Sequence, residues 1–533
     1  MSGFTGTFAL LRLAARRDRV LIPVSVLALV VLVAGSAQAT IDLYPTTESA
    51  LGAMGDIVTN PALVAMYGPL TSPTIDSFSV FKTILLGGVF LCLLAYIVVR
   101  RHTRTEEEEG RLELVGAGVV GRRAPLAAAI LLGVLAVLVT CVLTTVSAIA
   151  VGLDQTGSVA LGVAWLAMGL TWVGVTAFAA QLTETARGTA AFSLGALAVV
   201  FLLRAVGDTA EEGSPLTFLT WLSPIGWGEK VSPYGANQLW PLLLGIAAFG
   251  LLSGAAFSLL ERRDLGAGVI PPRPGPGRSR MRTVEALTAY LARGTIIGWV
   301  VTALVLGTVV GSIAGNVQSL MDSPQTAEML RKLGGGAGTI VDVFFSAELH
   351  IASVAVAAMG ISLVTRLRSE ETSLRGESVL ATSVTRLRWA LSHVGVAVLA
   401  TTLVMVLVGI AAGLADSQRT GDAAGSIGRL VGASIVTLPA IWVCVGIALV
   451  FVGLLPRHTG LVWAVLIAFL LLGEFGAIFG LPEWVQSLTP FGHVPGLPAA
   501  DLVMTPLIAL TAIAAGLVLV GTGALRQRDF PTT

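Results

Sequence analysis

Charge is scarce in this chain: of 533 residues, 12 % are Asp, Glu, Lys or Arg, while 55 % are hydrophobic. Soluble domains carry about twice that charged fraction, so a mean hydropathy of +0.85 excludes a soluble globular protein and points to a polytopic membrane protein. Cysteine is scarcer still. Cys92, Cys141 and Cys444 each fall within an apolar run, which leaves no disulfide framework and makes them packing residues. The five histidines, at 102, 350, 393, 458 and 493, have no ligand spacing, and neither H-E-x-x-H nor paired C-x-x-C occurs, so no metal site is expected. The phosphate-loop pattern G-x-x-x-x-G-K-[ST] is missing too; Gly334-Gly335-Gly336-Ala337-Gly338-Thr339 is glycine-rich but lacks the lysine and reads as a flexible loop. No Ser/His/Asp or Cys/His arrangement and no framed carboxylate pair is recognisable, which disfavours an intramembrane hydrolase or transferase. Nothing supports nucleic-acid recognition.

The charge that is present concentrates in a stretch that occurs twice. A shift of 264 positions carries Arg104 onto Arg368, Glu106 and Glu107 onto Glu370 and Glu371, Arg111 onto Arg375, Glu113 onto Glu377, Ala117 onto Ala381, Val120 onto Val384 and Arg122 onto Arg386. Each copy lies between long apolar runs, so it belongs at a membrane face, because an Arg or Asp at the bilayer centre costs about 2.5–3.5 kcal/mol even on the lenient insertion scale. Glu107 with Arg111, and Glu371 with Arg375, have the favourable i,i+4 polarity of a helix. The spacing predicts a short amphipathic helix in each copy, of about three turns or roughly 18 Å. A solvated loop is the other reading for one copy alone; duplication favours the built element.

Residues 1–19 are basic through Arg12, Arg16, Arg17 and Arg19, and an apolar run from Val20 ends in Ser36-Ala37-Gln38-Ala39, which imitates a secretory signal. The second half opens alike, with Arg293 before a run from Ile296 to Ala314. The first run is therefore read as a retained span preceded by an interfacial helix, with Met281 to Arg293 as the counterpart of that helix. Further runs of spanning length lie at about 79–99, 124–152, 158–180, 189–206 and 239–260, then 343–365, 389–414, 430–455, 460–480 and 503–524. The pattern is two spans, charged helix, four spans, twice over. With the N-terminus cytoplasmic, 26 of the 33 Lys and Arg fall on the cytoplasmic face, so both termini are expected inside. Six being even, the halves are parallel, joined by a Pro- and Gly-rich cytoplasmic linker.

The loops 207–238 and 481–502 hold matching segments, Leu222-Ser223-Pro224-Ile225-Gly226-Trp227 and Leu488-Thr489-Pro490-Phe491-Gly492-His493. The final spans of the halves exit alike, through Arg263-Asp264 and Arg528-Asp529. Both loops are apolar, with Trp221, Pro224 and Trp227 in one and Trp484, Pro490 and Phe491 in the other, and read as short helices dipping into the outer leaflet or as a small folded cap. Ionisable residues within the runs, Lys82, Arg204, Glu348, His350 and Glu474, are candidates for a translocation path or for a structural ion pair, with Arg204 and Glu474 at similar places in the two halves.

An interfacial N-terminal helix, a charged helix between spans two and three, and dipping helices between spans five and six together resemble the permease of type 2 ABC exporters, the class that includes O-antigen exporters and the G subfamily. The duplicated E-E-x-x-x-R-x-E-x-x-x-A element is similar to that class's coupling helix. The fusion of two halves and the repeated L-[ST]-P-x-G resemble the actinobacterial polyketide or ionophore antibiotic exporters of the tetronasin type, a group linked to multidrug efflux.

The resemblance implies an all-α polytopic fold of about twelve transmembrane helices in two parallel pseudo-symmetric halves. The first half is 1–264 with its coupling helix at about 104–117, the linker is 265–282, and the second half is 283–533 with its coupling helix at about 368–381. It implies a multi-pass plasma-membrane permease that expels amphipathic compounds and has no ATPase activity of its own. ATP and Mg would be bound by two copies of a separate ABC ATPase docked at Glu106, Glu107, Arg111 and Glu113 and at Glu370, Glu371, Arg375 and Glu377. The copies differ where Glu108-Glu109-Gly110 faces Thr372-Ser373-Leu374, which leaves open whether the two docking sites are equivalent. The competing expectations are a proton-coupled twelve-helix carrier using Glu348, His350 and Glu474, and a non-transporting membrane partner of an ATPase.

Overall fold

The computed structural model describes residues 3–44, 61–211, 213–271, 281–319, 340–475 and 482–528. These residues are helical and contain no strand, as backbone groups in hydrocarbon require when every N–H and C=O must be satisfied within its own segment. Eleven of the described helices are long and apolar enough to cross a membrane. The chain is an all-α polytopic membrane protein, and it divides into two compact units, Met1–Gly275 and Pro276–Thr533.

The first unit contains α1 (Thr7–Arg17), α2 (Leu21–Leu43), α3 (Pro61–Tyr67), α4 (Ile75–Arg101), α5 (Arg104–Glu108), α6 (Arg111–Gly116), α7 (Ala124–Ala150), α8 (Gln155–Leu182), α9 (Ala186–Asp208), α10 (Pro224–Lys230) and α11 (Pro241–Arg262). A 3₁₀ turn, Pro215–Leu222, precedes α10. Helix α8 is the axis of the unit: 78 % of its apolar window is buried, against 22 % for α2 and 17 % for α11, which face outward. Small residues let its neighbours approach. Gly87 and Gly88 of α4 leave room for Trp165 and Met168, since a Cβ on Gly87 would stand 2.1 Å from the Trp165 ring. Trp165 Nε1 donates to the Ile84 carbonyl at 2.9 Å, satisfying an indole deep in the apolar interior.

The second unit contains α12 (Val284–Ser319), α13 (Ile340–Thr372), α14 (Arg375–Leu380), α15 (Arg386–Thr420), α16 (Ala423–Val436), α17 (Leu438–Leu454), α18 (Leu461–Phe475), α19 (Glu483–Gln486) and α20 (Met504–Gln527). Its helices also meet through small residues: Gly307 and Gly311 of α12 lie against the Val408 and Ala412 carbonyls of α15, and Gly453 of α17 against that of Gly521. Such contacts replace the hydrophobic drive that lipid does not supply.

Several expected boundaries move. The N-terminal interfacial helix is separate, ending at Arg17 with Asp18 as its cap, but its expected counterpart is not: Met281 to Arg293 enters the 36-residue α12, which Thr283 caps at its start. No turn-forming residue stands between Arg293 and Ile296 except Gly294, and a single glycine costs a helix only about 1 kcal/mol. The run 430–455 begins earlier and is jointed at Thr437, with Pro439 in the first turn of α17, where a missing N–H is tolerated. The run 460–480 gives α18, whose window Leu461–Leu470 is short for a span; residues 476–481 lie outside the described set, as do 272–280 of the linker. The charged stretch is not one three-turn helix in either copy. It is a helix end, a reversal and a second short helix.

Candidate functional site: the repeated charged corner

In the first unit α5 stops at Glu108 and α6 starts at Arg111, with Gly110 between them at φ 71°. In the second unit α13 runs on to Thr372, Leu374 takes φ 59°, and α14 follows. Gly110 and Leu374 are equivalent under the 264-residue shift, so two dissimilar tripeptides make the same left-handed reversal. Glycine adopts it freely, whereas leucine pays about 1–2 kcal/mol.

The reversal defeats the expected i,i+4 pairs. Glu107 turns inward, with its side chain 4 % exposed, and takes a bidentate pair from Arg263 at 2.6 and 2.9 Å, the Gly266 N–H at 2.7 Å and Arg104 at 3.1 Å. Arg104, fully buried, donates to the Ala180 carbonyl at 2.9 and 2.6 Å, and Arg263 Nε donates to Gln181 Oε1 at 2.8 Å. These acceptors lie in the last turn of α8, where helix carbonyls lack intrahelical partners and the macrodipole favours cations. Arg122 closes the network by donating to the Arg263 carbonyl at 2.5 Å.

The second unit repeats this plan. Glu371, 2 % exposed, pairs with Arg368 at 2.7 Å and with Arg528; Arg528 donates to the Val452 carbonyl near the end of α17 at 3.0 Å, and Arg386 donates to the Arg528 carbonyl at 2.8 Å. Each unit thus has a buried glutamate joining the end of its charged helix to the arginine where its final helix exits.

The other charged candidates divide by exposure. Glu106 pairs with Arg17 of α1 and with Arg111 at 3.0 Å; Glu370 meets Arg366 at 3.1 Å and His393 at 3.4 Å. Arg111, Glu113, Arg375 and Glu377 are exposed. Glu108 accepts from the Ala186 N–H at 2.8 Å and so anchors the start of α9. A cleft of about 360 Å³ opens beneath α6, lined by Glu107, Leu112, Arg122, Leu126, Arg263 and Leu265 among others.

At the opposite end of α4 and α8, Arg204 is fully buried, donates to the Val64 and Ala65 carbonyls at 3.2 and 2.5 Å, and pairs with Asp208 at 3.2 Å. Trp221 stacks on Trp240 with centroids 5.4 Å apart, its carbonyl receives the Trp227 indole at 2.6 Å, and Pro224 opens α10. In the second unit His350 lies edge-on to buried Phe491 at 5.8 Å, next to buried Pro490, while Trp484 is 68 % exposed. Glu348 is half-buried and Lys82 exposed. Glu474 is on the last turn of α18, and its side chain lies outside the described residues.

Sequence reasoning missed Arg263 and Arg528 as partners of the glutamates. Their signal was the repeated Arg-Asp at the final helix exits, which alone looks like ordinary membrane-edge charge.

A family model described as "Multidrug efflux system permease Rv1217c, C-terminal domain" matches residues 281–526. Over 99 % of this chain and 96 % of the relative, the sequence is 37 % identical to the multidrug efflux system permease protein Rv1217c of Mycobacterium tuberculosis.

Proposed function

The chain belongs to the family of the multidrug efflux permease Rv1217c, and from that premise we propose that it is the membrane permease of a type 2 ABC exporter for amphipathic compounds. The repeated charged corner carries this reading. In each unit a buried Glu–Arg lock ties a short helix with exposed charges, Arg111 and Glu113 or Arg375 and Glu377, to the last turn of an apolar helix and to the exit of the final helix. A push on the short helix would then be passed to two spans at once, which a motor subunit needs.

The sequence has no phosphate loop of its own, so the motor is a separately encoded ATPase that binds ATP and Mg, one copy at each corner. Docking falls to the four exposed residues and to Glu106 and Glu370 at their margins, with Glu107 and Glu371 serving as the locks behind them. The shared backbone reversal at Gly110 and Leu374 favours equivalent docking in spite of the unequal sequences. The corners face the cytoplasm, as do both termini, and the bilayer is the plasma membrane. Substrates extend from drugs to polyketide or ionophore antibiotics.

The reading is tested by reconstituting the chain with a candidate ABC ATPase subunit and measuring ATP hydrolysis and efflux of a fluorescent amphipathic dye. Hydrolysis stimulated by the dye, with ATP-dependent efflux, is the expected result; dye transport driven by a pH gradient without the ATPase would overturn it.

A further inference from the structure

The first unit holds a second buried charge cluster, unlike the corner in one respect: its buried carboxyls outnumber its buried guanidiniums. Helix α9 ends with Arg204 and Asp208, whose side chains are 0 and 1 % exposed, and α10 brings in Glu229 at 5 %. Arg204 is already engaged by Asp208 and by the carbonyls of Val64 and Ala65. Asp208 receives the Thr220 hydroxyl at 2.8 Å on its other oxygen. Neither oxygen of Glu229 meets a donor among the described residues, while Asp208 stands within hydrogen-bond reach of its protonated form. The carboxyl rests over Gly68, whose Cβ position would be 3.3 Å from it.

The turn that carries Glu229 is tightly packed. A Cβ on Gly226 would stand 2.2 Å from the Thr220 carbonyl, and one on Gly228 2.2 Å from Met168, so α10 is pressed on both sides of the turn that carries Glu229. The charged groups acting on Glu229 are Asp208, which repels its ionised form, and Arg204 and Lys230, which attract it. Helix α8 and the turn Pro215–Leu222 bring no titratable side chain. The charges of α11 are Glu261 and Arg262 at its far end, Lys82 of α4 is exposed, and Asp76 is occupied by the Asp154 N–H at 3.0 Å. Tyr67 of α3 packs its ring on Phe81.

Among the fully buried groups one guanidinium therefore faces two carboxyls, with the half-buried Lys230 beside them. An isolated buried carboxylate is costly enough that the group takes up a proton instead. We propose that the Asp208–Glu229 pair is a proton-binding site, holding one proton on Glu229 while α10 is seated and releasing it to water when α10 moves out. Burial first, then the neighbouring Asp208 carboxylate, pushes the Glu229 carboxyl well above its usual range, which agrees with the geometry. This site adds to the transport reading and does not rest on it: any rearrangement that exposes α10 would release a proton, whatever drives that rearrangement.

The sign of the linkage follows. Above the ordinary glutamate range the unfolded chain has lost this proton while the folded unit retains it, so stability falls as pH rises from about 4.5 toward the raised folded value. The test is a series of melting curves of the nanodisc-embedded protein from about pH 5 to about pH 9, together with infrared spectra of the acid C=O stretch. Wild type should lose melting temperature as pH rises. Glu229→Gln, which keeps the shape of the neutral acid, should melt at or above wild type at the alkaline end, with a flatter profile, and should lack one protonated-carboxyl band present in wild type at neutral pH. Asp208→Asn, which removes the like charge, should move the wild-type decline to lower pH through a less raised Glu229 or abolish it. Identical carboxyl spectra for wild type and Glu229→Gln, with parallel pH profiles, would overturn the proposal.

Discussion

Removing the Glu107 carboxylate is the most informative perturbation of the fold. Its oxygens serve Arg263 twice, Arg104 once and the Gly266 N–H, and all three side chains are at most 6 % exposed. Glu107→Ala would leave two guanidiniums buried with carbonyl and amide acceptors but no paired carboxylate, Glu184 and Glu108 acting on Arg104 only from a distance. Breaking a buried pair from one side costs about 3–5 kcal/mol, mostly the penalty of the stranded charge. For domains of this size each kcal/mol moves the melting temperature by about 2–4 °C, so a fall on the order of 10 °C is expected. Glu113→Ala, on the exposed face of α6, should stay within about 0.5 kcal/mol of wild type. The assay is tryptophan-fluorescence melting of the nanodisc-embedded protein at one fixed scan rate, because membrane proteins of this size often unfold irreversibly. A Glu107→Ala variant melting within about 2 °C of wild type, or a Glu113→Ala variant falling as far, would refute the buried-lock argument.

Two further predictions concern the backbone and the packing. Leu374 holds the left-handed conformation that Gly110 holds in the first unit, so Leu374→Gly should stabilise the second unit by about 1 kcal/mol, less whatever the glycine adds to chain freedom when unfolded; a loss of melting temperature would contradict this. Gly87→Ala drives a Cβ into Trp165, whereas nothing lies within 4 Å of the corresponding point at Gly195 in the middle of α9. The first should cost about 1–3 kcal/mol by overpacking and Gly195→Ala should gain about 0.5–1 kcal/mol, both read as shifts in melting temperature.

The sequence revealed the membrane class, most spans and the duplicated charged stretch because these depend on composition and on local order. Apolar runs announce themselves, and nine in-register matches 264 residues apart, Val115 with Val379 among them, need no tertiary knowledge. The inward turn of Glu107 and Glu371 was not legible. It depends on arginines 156 and 157 residues away, and a Glu before an Arg at i,i+4 looks equally good on a helix that is in fact interrupted. Gly110 gave a hint of the break; Leu374 gave none, because leucine in a left-handed turn opposes its own preference. Met281 to Arg293 was misjudged as a separate helix for the opposite reason, since charge marked a boundary where the backbone needs none. Glu229 and Asp208 lie in and at the edge of a loop whose apolar residues drew attention away from its charges, and only the packing shows the pair to be buried.

The central claim, that each charged corner is the seat of a motor subunit, is tested most directly by co-purification. The tagged chain is expressed with a candidate ABC ATPase subunit, as wild type and as Glu113→Arg combined with Glu377→Arg, two substitutions on exposed positions that leave the buried locks intact. The account predicts that wild type carries two ATPase subunits per chain, and that the double variant keeps its melting temperature while losing them. A well-folded wild-type chain that retains no ATPase under any nucleotide condition would contradict it.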